Sequence, residues 1–493
     1  MSDLRGAATR GVRWSALSQF VRQALLITTT LLLSRLVGPA GFGLISMALT
    51  VTGFLELFRD PGTGAAVVQR RELSPALLST IFWINLGAGL ACAAVVIVGA
   101  PLAAAFYREP ALTPVLRALA PGFVLGGLGV VPQALLQRAV AFRALAGVEL
   151  ASSLAGAGVA VALALAGAGV WSLVAQSLVT TALATPLAWL ASRWRPALVF
   201  DRGAAAAVSG FSTGLVGFNL VNYFARNADY LLIGRFLGPT SLGLYTLAYR
   251  LMFYPIQTLG QVGARVLFPV FSQVDDAARF GQIFLRLSAL LFFLAAPVYV
   301  GLGALADPLV AAVLGSQWAP VAPLLVILAP VGLFQVLTNA TGLIYQARGR
   351  TDLMLAWGVG SSAVMMAAFA LGLPFGITGV ATAYALSMLL LAYPVFKLPF
   401  RLIGLLVVDL LRAVGPGALC AAALLVTLLG LRALLAALPP LALLAVALPV
   451  GALVYLVLSW RLNREPVVEC LRLAGLPTPP TAGPAAPRPL AGP

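Results

Sequence analysis

The chain has 493 residues, of which 61% are apolar and 9% charged, with a formal net charge of +16 and no histidine. Its mean hydropathy is +1.00, whereas an ordinary soluble domain carries about 25% charged residues, so a water-soluble globule is excluded. Without histidine there is no imidazole base, proton relay or His-ligated metal, and Cys92, Cys420 and Cys470 are too widely spaced for a disulfide framework or a zinc pattern; neither a cofactor nor a metal is expected.

A hydrocarbon core calls for apolar stretches of about 20 residues, and fourteen are read along the chain, giving an all-α polytopic membrane protein. Six run from Trp14 to Val37, Phe42 to Phe58, Ser79 to Val98, Leu116 to Leu136, Val148 to Ala166 and Trp171 to Leu190. Six more run from Ala207 to Phe236, Gly243 to Phe268, Phe284 to Leu305, Val321 to Tyr345, Leu353 to Leu373 and Ile377 to Phe396. The last two, Ala413 to Leu431 and Leu441 to Trp460, stand apart. The expected organisation is a six-helix bundle over residues 1–200, a second over 201–400, two added helices within 401–463, and a disordered Pro- and Ala-rich tail over 464–493.

The two bundles repeat one another. Leu31, Leu32, Arg35, Gly38, Pro39, Gly43 and Leu44 recur 200 residues later as Leu231, Leu232, Arg235, Gly238, Pro239, Gly243 and Leu244. A second echo at an offset of 210 matches Gly169, Val170, Ala175 and Ser177 to Gly379, Val380, Ala385 and Ser387. Repeats of this kind place a substrate site at their interface and move one against the other, which points to transport. The basic excess is an orientation signal: with both ends inside, inward segments hold 23 Lys and Arg against 6 outside, so both termini are expected in the cytoplasm. Nucleic acid is not an expected partner; membrane lipids are.

Ionisable groups inside spans are costly and face a cavity or a partner. Ser15, Gln19, Arg22 and Thr29 share a face of the first span, and Arg250, Tyr254, Gln257 and Gln261 a face of the eighth. The seventh adds Asn219, Asn222, Tyr223, Arg226 and Asp229, and the second Thr52 and Glu56. A cavity lined by the opening helices of both bundles follows. At the 200-residue offset Arg22 corresponds to Asn222, Thr29 to Asp229 and Thr50 to Arg250, so the charges sit where the repeats disagree. Plainer readings stand beside this one. Arg35 and Arg235 at span ends suit interfacial anchors or helix C-caps, Arg226 and Asp229 an i,i+3 ion pair, and Glu56 a partner for Arg59. Glu149 suits the wet inner edge, paired with Arg143 or Arg138. Arg22 and Arg250 have no acidic residue within one turn, and two unpaired arginines imply an anionic ligand, since guanidinium forms paired hydrogen bonds to phosphate. Asn219, Asn222, Tyr223, Tyr254, Gln257 and Gln261 are candidate sugar contacts, Gln19 and Arg226 further candidates for the substrate cavity, and Glu56 and Asp229 candidates for coupling or ion pairing.

The run Thr9-Arg10-Gly11-Val12-Arg13-Trp14-Ser15, then Leu33-Ser34-Arg35-Leu36-Val37-Gly38-Pro39 with Phe42-Gly43, resembles the opening of bacterial polysaccharide-repeat flippases, the Wzx-type exporters of the MOP superfamily. That superfamily also holds MATE-type drug exporters and lipid II flippases. The string from Asn227 through Pro239, then Gly243-Leu244-Tyr245, and the segment from Tyr345 to Thr351 resemble the same family. The resemblance implies fourteen spans, no enzymatic reaction, and movement of an undecaprenyl-pyrophosphate-linked oligosaccharide from the inner to the outer leaflet of the bacterial inner membrane. It also implies a glycan polymerase and other polysaccharide assembly proteins as partners. Arg22 and Arg250 carry over as phosphate contacts by position only. Two rivals remain: a cation-coupled MATE-type exporter, which calls for an acidic cavity, and a membrane glycan polymerase or ligase, which calls for a sizeable catalytic loop.

Overall fold

A computed structural model describes residues 2–60, 62–70, 72–271 and 276–473; the side chains of 2–20, 204, 206–219, 221, 225, 258–271, 277 and 473 lie outside the description. Every regular element among the described residues is helical. In chain order they are α1 (Ser2–Arg59), α2 (Thr63–Gln69), α3 (Pro75–Tyr107), α4 (Leu112–Leu119), α5 (Pro121–Arg138), α6 (Phe142–Leu165), α7 (Val170–Ser192), α8 (Arg202–Phe271), α9 (Ala277–Ala304) and α10 (Ala306–Leu309). After a π turn at Val310–Leu314 and a 3-10 turn at Ser316–Trp318 come α11 (Val321–Asn339), α12 (Thr341–Ala347), α13 (Thr351–Gly372), α14 (Gly376–Phe400), α15 (Val407–Leu434), α16 (Pro440–Leu462) and α17 (Arg464–Leu473).

Ten helices among the described residues are long and apolar enough to cross a membrane. Two of these, Val21–Arg59 at 39 residues and Thr351–Phe400 at 50, exceed the roughly 20 residues of one crossing. Within α1 the helix breaks at Gly38 (φ 77, ψ 170), and within α8 at Gly238 (φ 81, ψ 179). Glycine reaches positive φ at little cost, and Pro39 and Pro239, lacking an N–H, follow the break. The repeat written in the sequence is therefore a repeat of backbone geometry.

Two expected spans each comprise two helical segments that together make one apolar crossing, Leu112–Arg138 and Val321–Ala347. The stretch from Leu116 to Leu136 falls across α4 and α5, which meet at Ala120 because Pro121 cannot supply the N–H that would continue the first helix. The stretch from Val321 to Tyr345 is α11 and α12, meeting at Ala340. Helix starts follow side-chain chemistry: Ser74 accepts the N–H of Leu77 at 3.1 Å and Asp276 that of Ala278 at 3.1 Å.

The chain divides into two compact units. The first holds residues 1–249, 310–324 and 360–387. In it α3 packs on α5 through glycine: a Cβ on Gly127 would lie 2.6 Å from the Asn85 carbonyl oxygen, and one on Gly89 2.6 Å from that of Phe123. Gly127 and Gly89 thus serve backbone approach, which lets helices associate in lipid. Phe82 stands amid Trp83, Trp189 and Trp194 at 5.1, 5.6 and 5.7 Å, and the Trp83 and Trp189 indole N–H groups donate to the carbonyls of Ala197 and Leu128 at 3.0 and 2.9 Å.

The second unit holds residues 250–309, 325–359 and 388–493. There Tyr455 stacks on Phe293 at 5.6 Å and donates to its carbonyl at 2.9 Å, joining α16 to α9, and Arg432 of α15 pairs with Asp307 at 2.5 Å. Arg464–Leu473, where the expected tail begins, is a helix, because Val467 and Val468 are buried against the unit; residues 474–493 lie outside the description. Burial, with Glu469 adding to it, raises the Cys470 thiol above its ordinary range.

Two predictions arise here. Reporter fusions after Arg195 and Arg464 are expected to read cytoplasmic and one after Gly376 periplasmic; a periplasmic signal at Arg464 contradicts an even number of crossings. Deleting the residues after Arg472 is expected to leave membrane level and transport within about twofold of the full chain, whereas ending the chain at Asn463 removes buried Val467 and Val468 and lowers the inserted level. Immunoblots of membranes, read with export per molecule, check both deletions.

Candidate functional site

Within the first unit, Arg22 of α1 pairs with Glu149 of α6 at 3.4 Å, their side chains 33% and 49% exposed. This corrects the expectation of an arginine without an acidic partner, and the expectation that Glu149 serves Arg143 or Arg138. The partner lies more than a hundred residues away in sequence, beyond any one-turn search along the helix. Arg138 instead donates to the carbonyls of Val67, at 3.1 Å, and Arg70, which fastens α2 to α5. Both side chains keep part of their surface accessible, so the pair is exchangeable.

One turn before the C-terminal end of α1, Glu56 pairs with Arg59 at 2.5 Å. The Arg59 guanidinium lies against Gly126, where a Cβ would come within 2.7 Å of it. Asp60 then caps α2, accepting the N–H of Gly62 at 3.1 Å and the Thr63 hydroxyl at 2.9 Å. Thr63 in turn meets the fully buried Asn85. The acidic groups at this end are therefore committed to structure.

From α8, Tyr223 donates its hydroxyl to the Thr50 carbonyl of α1, and its ring lies 6.0 Å from Phe54. In this structure that hydroxyl is an interhelical brace. Asn222 and Arg226 are exposed. Asp229 is buried and accepts the N–H of Tyr230 at 2.9 Å; ion pairs among the described residues do not join it to Arg226, which corrects the i,i+3 reading. Asp229 sits instead beside aromatic hydroxyls. Tyr230 lies 6.2 Å from Tyr245 and 6.1 Å from Tyr249, which is stacked on Tyr245 at 6.1 Å, and Tyr384 follows at 6.4 Å from Tyr249. This tyrosine cluster went unread, though Tyr245 and Tyr249 are one helical turn apart and that spacing was the available signal.

The second unit carries the remaining described candidates. Arg250 and Tyr254 are half-buried and Gln257 exposed on α8, next to Met252, whose carbonyl accepts the Tyr299 hydroxyl at 2.7 Å. The side chains of Gln19, Asn219 and Gln261 lie outside the described residues. Among the described residues no three acidic, cysteine or histidine groups gather as a metal would need.

Comparison with known proteins places this geometry. Residues 32–323 match the family described as polysaccharide biosynthesis protein. The chain is 30% identical over 355 residues to the teichuronic acid biosynthesis protein TuaB of Bacillus subtilis (strain 168), covering 71% of this chain and 73% of that one. It is 31% identical over 322 residues to the succinoglycan biosynthesis transport protein ExoT of Rhizobium meliloti (strain 1021), covering 65% of each. The lipid II flippase MurJ in an inward closed conformation shares the fold, with a TM-score of 0.73 at 14% identity, over 92% of this chain and 99% of that one. An all-helical multi-pass membrane protein with these matches belongs to the polysaccharide biosynthesis protein family.

Proposed function

We propose that this chain is a flippase that carries an undecaprenyl-pyrophosphate-linked oligosaccharide repeat from the inner to the outer leaflet of a bacterial inner membrane by alternating access. The observation that carries this reading is the half-exposed Arg22–Glu149 pair on a membrane helix, in a chain related to a succinoglycan biosynthesis transport protein and folded like a lipid II flippase. A phosphate forms two charge-assisted hydrogen bonds to guanidinium and displaces Glu149, while the lipid tail stays in the bilayer. Arg250, half-buried on α8 in the second unit, is taken by itself as a cationic contact for an anionic group.

Fourteen crossings with both termini in the cytoplasm fit this reading. Ten helices are long and apolar enough, Val21–Arg59 and Thr351–Phe400 each add one crossing, and α8, kinked at Gly238, adds two. The product on the outer leaflet passes to a glycan polymerase and its assembly partners. Asp229, buried among tyrosines, takes the coupling cation. The experiment is complementation: cells without their own flippase accumulate the lipid-linked repeat on the inner leaflet, and this chain is expected to restore outer-leaflet glycan. Continued accumulation with normally inserted protein defeats the proposal.

A further inference from the structure

The repeated motif forms a contact that the substrate site does not use. The turn after Gly38 and the turn after Gly238 touch backbone to backbone. A methyl group on Gly43 would overlap the Pro239 carbonyl and lie 2.9 Å from its Cα, and one on Gly243 would overlap the Pro39 carbonyl and lie 2.9 Å from the Gly43 nitrogen. Each glycine of the repeat thus makes room for the proline of the other copy.

The arginines of the motif reach crosswise as well. Arg35, from the first copy, donates through Nε to the Val313 carbonyl at 2.6 Å and through Nη2 to that of Ala312, capping the π turn that follows α10. From the same segment, Gln317 donates to the Arg35 carbonyl at 2.8 Å and the Trp318 indole to the Ser34 carbonyl at 2.9 Å, with the Trp318 ring set edge-on against Phe42 at 5.6 Å. In the second copy Arg235 lies over Phe106 at 5.8 Å, and a Cβ on Gly234 would come within 2.7 Å of the Tyr107 ring. The end of span 1 is held by the segment that follows span 9, and the end of span 7 by the end of span 3.

We propose that these crossed contacts are the outer gate latch, closed in this structure and opened once in each transport cycle. The physical argument is reversibility. Arg35 is exposed and Arg235 half-exposed, so water takes over their hydrogen bonds and cation–π contacts as they part. The two turns meet each other through backbone, and the Trp318 ring, set edge-on against Phe42, is the one large side chain that has to withdraw as they part. Such a contact has two discrete states, as switching interfaces require, whereas a permanent scaffold joint is expected to bury its charges.

The proposal rests on alternating access, and its test separates the two. In the full chain with Cys92, Cys420 and Cys470 replaced by alanine, Arg35→Cys and Gln317→Cys are joined by a short bifunctional thiosulfonate. Bridging is expected in resting cells, with outer-leaflet glycan falling at least tenfold and returning on reduction. Failure to bridge, or undiminished export by bridged protein, overturns the latch. Independently, Gly43→Ala or Gly243→Ala is expected to speed labelling of Thr50→Cys by an impermeant maleimide from outside at least fivefold, and equal rates overturn the latch. Because labelling reads the gate whatever the cargo, faster labelling in a chain that never restores glycan leaves the latch standing and removes the cargo assignment.

Discussion

Arg22→Gln is expected to lower export of lipid-linked glycan by at least tenfold per inserted molecule, with Arg250→Gln losing a similar factor. Hydrogen bonds to charged groups contribute roughly 1.5–3 kcal/mol, and about 1.4 kcal/mol is a factor of ten. The Arg22–Glu149 pair is worth far less, since exposed pairs contribute about 0–1 kcal/mol, and both its side chains are between one-third and one-half exposed. On the proposed function a phosphate would displace Glu149, and the magnitudes set the direction of a second variant. Glu149→Gln is expected to lower the glycan-lipid concentration for half-maximal transport by about twofold to fivefold, the worth of a pair of this kind. Arg22→Lys retains charge without the planar fork and is expected to rescue only in part. The measurement is outer-leaflet glycan normalised to inserted protein. If the pair only stabilised the fold, Arg22→Gln and Glu149→Gln would reduce protein level alike and spare turnover.

Asp229→Asn is expected to abolish gradient-driven flipping while leaving the protein inserted. A carboxylate at the centre of a membrane helix costs about 2.5–3.5 kcal/mol even on the mildest scales, and Asp229 is buried, accepting the N–H of Tyr230. The amide keeps the shape and removes the charge, so a purely structural role predicts a more stable protein with unchanged turnover. Proteoliposomes with imposed proton or sodium gradients separate the outcomes: flipping that follows the gradient in the parent and ignores it in Asp229→Asn supports coupling. Gradient-dependent flipping in the variant would assign coupling elsewhere.

What the sequence disclosed and what it withheld follow the range of each interaction. Apolar run lengths disclosed membrane helices because the thickness of hydrocarbon is fixed. The Gly-Pro repeat disclosed the breaks at Gly38 and Gly238 because few residues other than glycine take that backbone angle. Arg35 was legible as a capping group, and it does cap carbonyls, but those of Ala312 and Val313 rather than its own helix. The same limit hid Glu149 from Arg22, since a helical periodicity reaches four residues and not across a bundle. Tyr223 reads as a candidate sugar contact because an aromatic hydroxyl in a membrane helix needs a partner, and the sequence could not say that Thr50 provides one in this structure. The break at Ala120 had a signal in Pro121; the one at Ala340 had no proline to mark it.

The Arg35 contact also sets an order of events during synthesis. Its Val313 acceptor lies 278 residues downstream, and at about 5–20 residues per second a ribosome needs roughly 14–56 s to reach it. Throughout that interval the Arg35 end of the first span lacks its final acceptors. Headgroups and water must solvate the guanidinium until the chain returns. The first half is therefore born incomplete, and a ribosome that stalls before Trp318 leaves behind a protein whose opening helices have been inserted but never fastened.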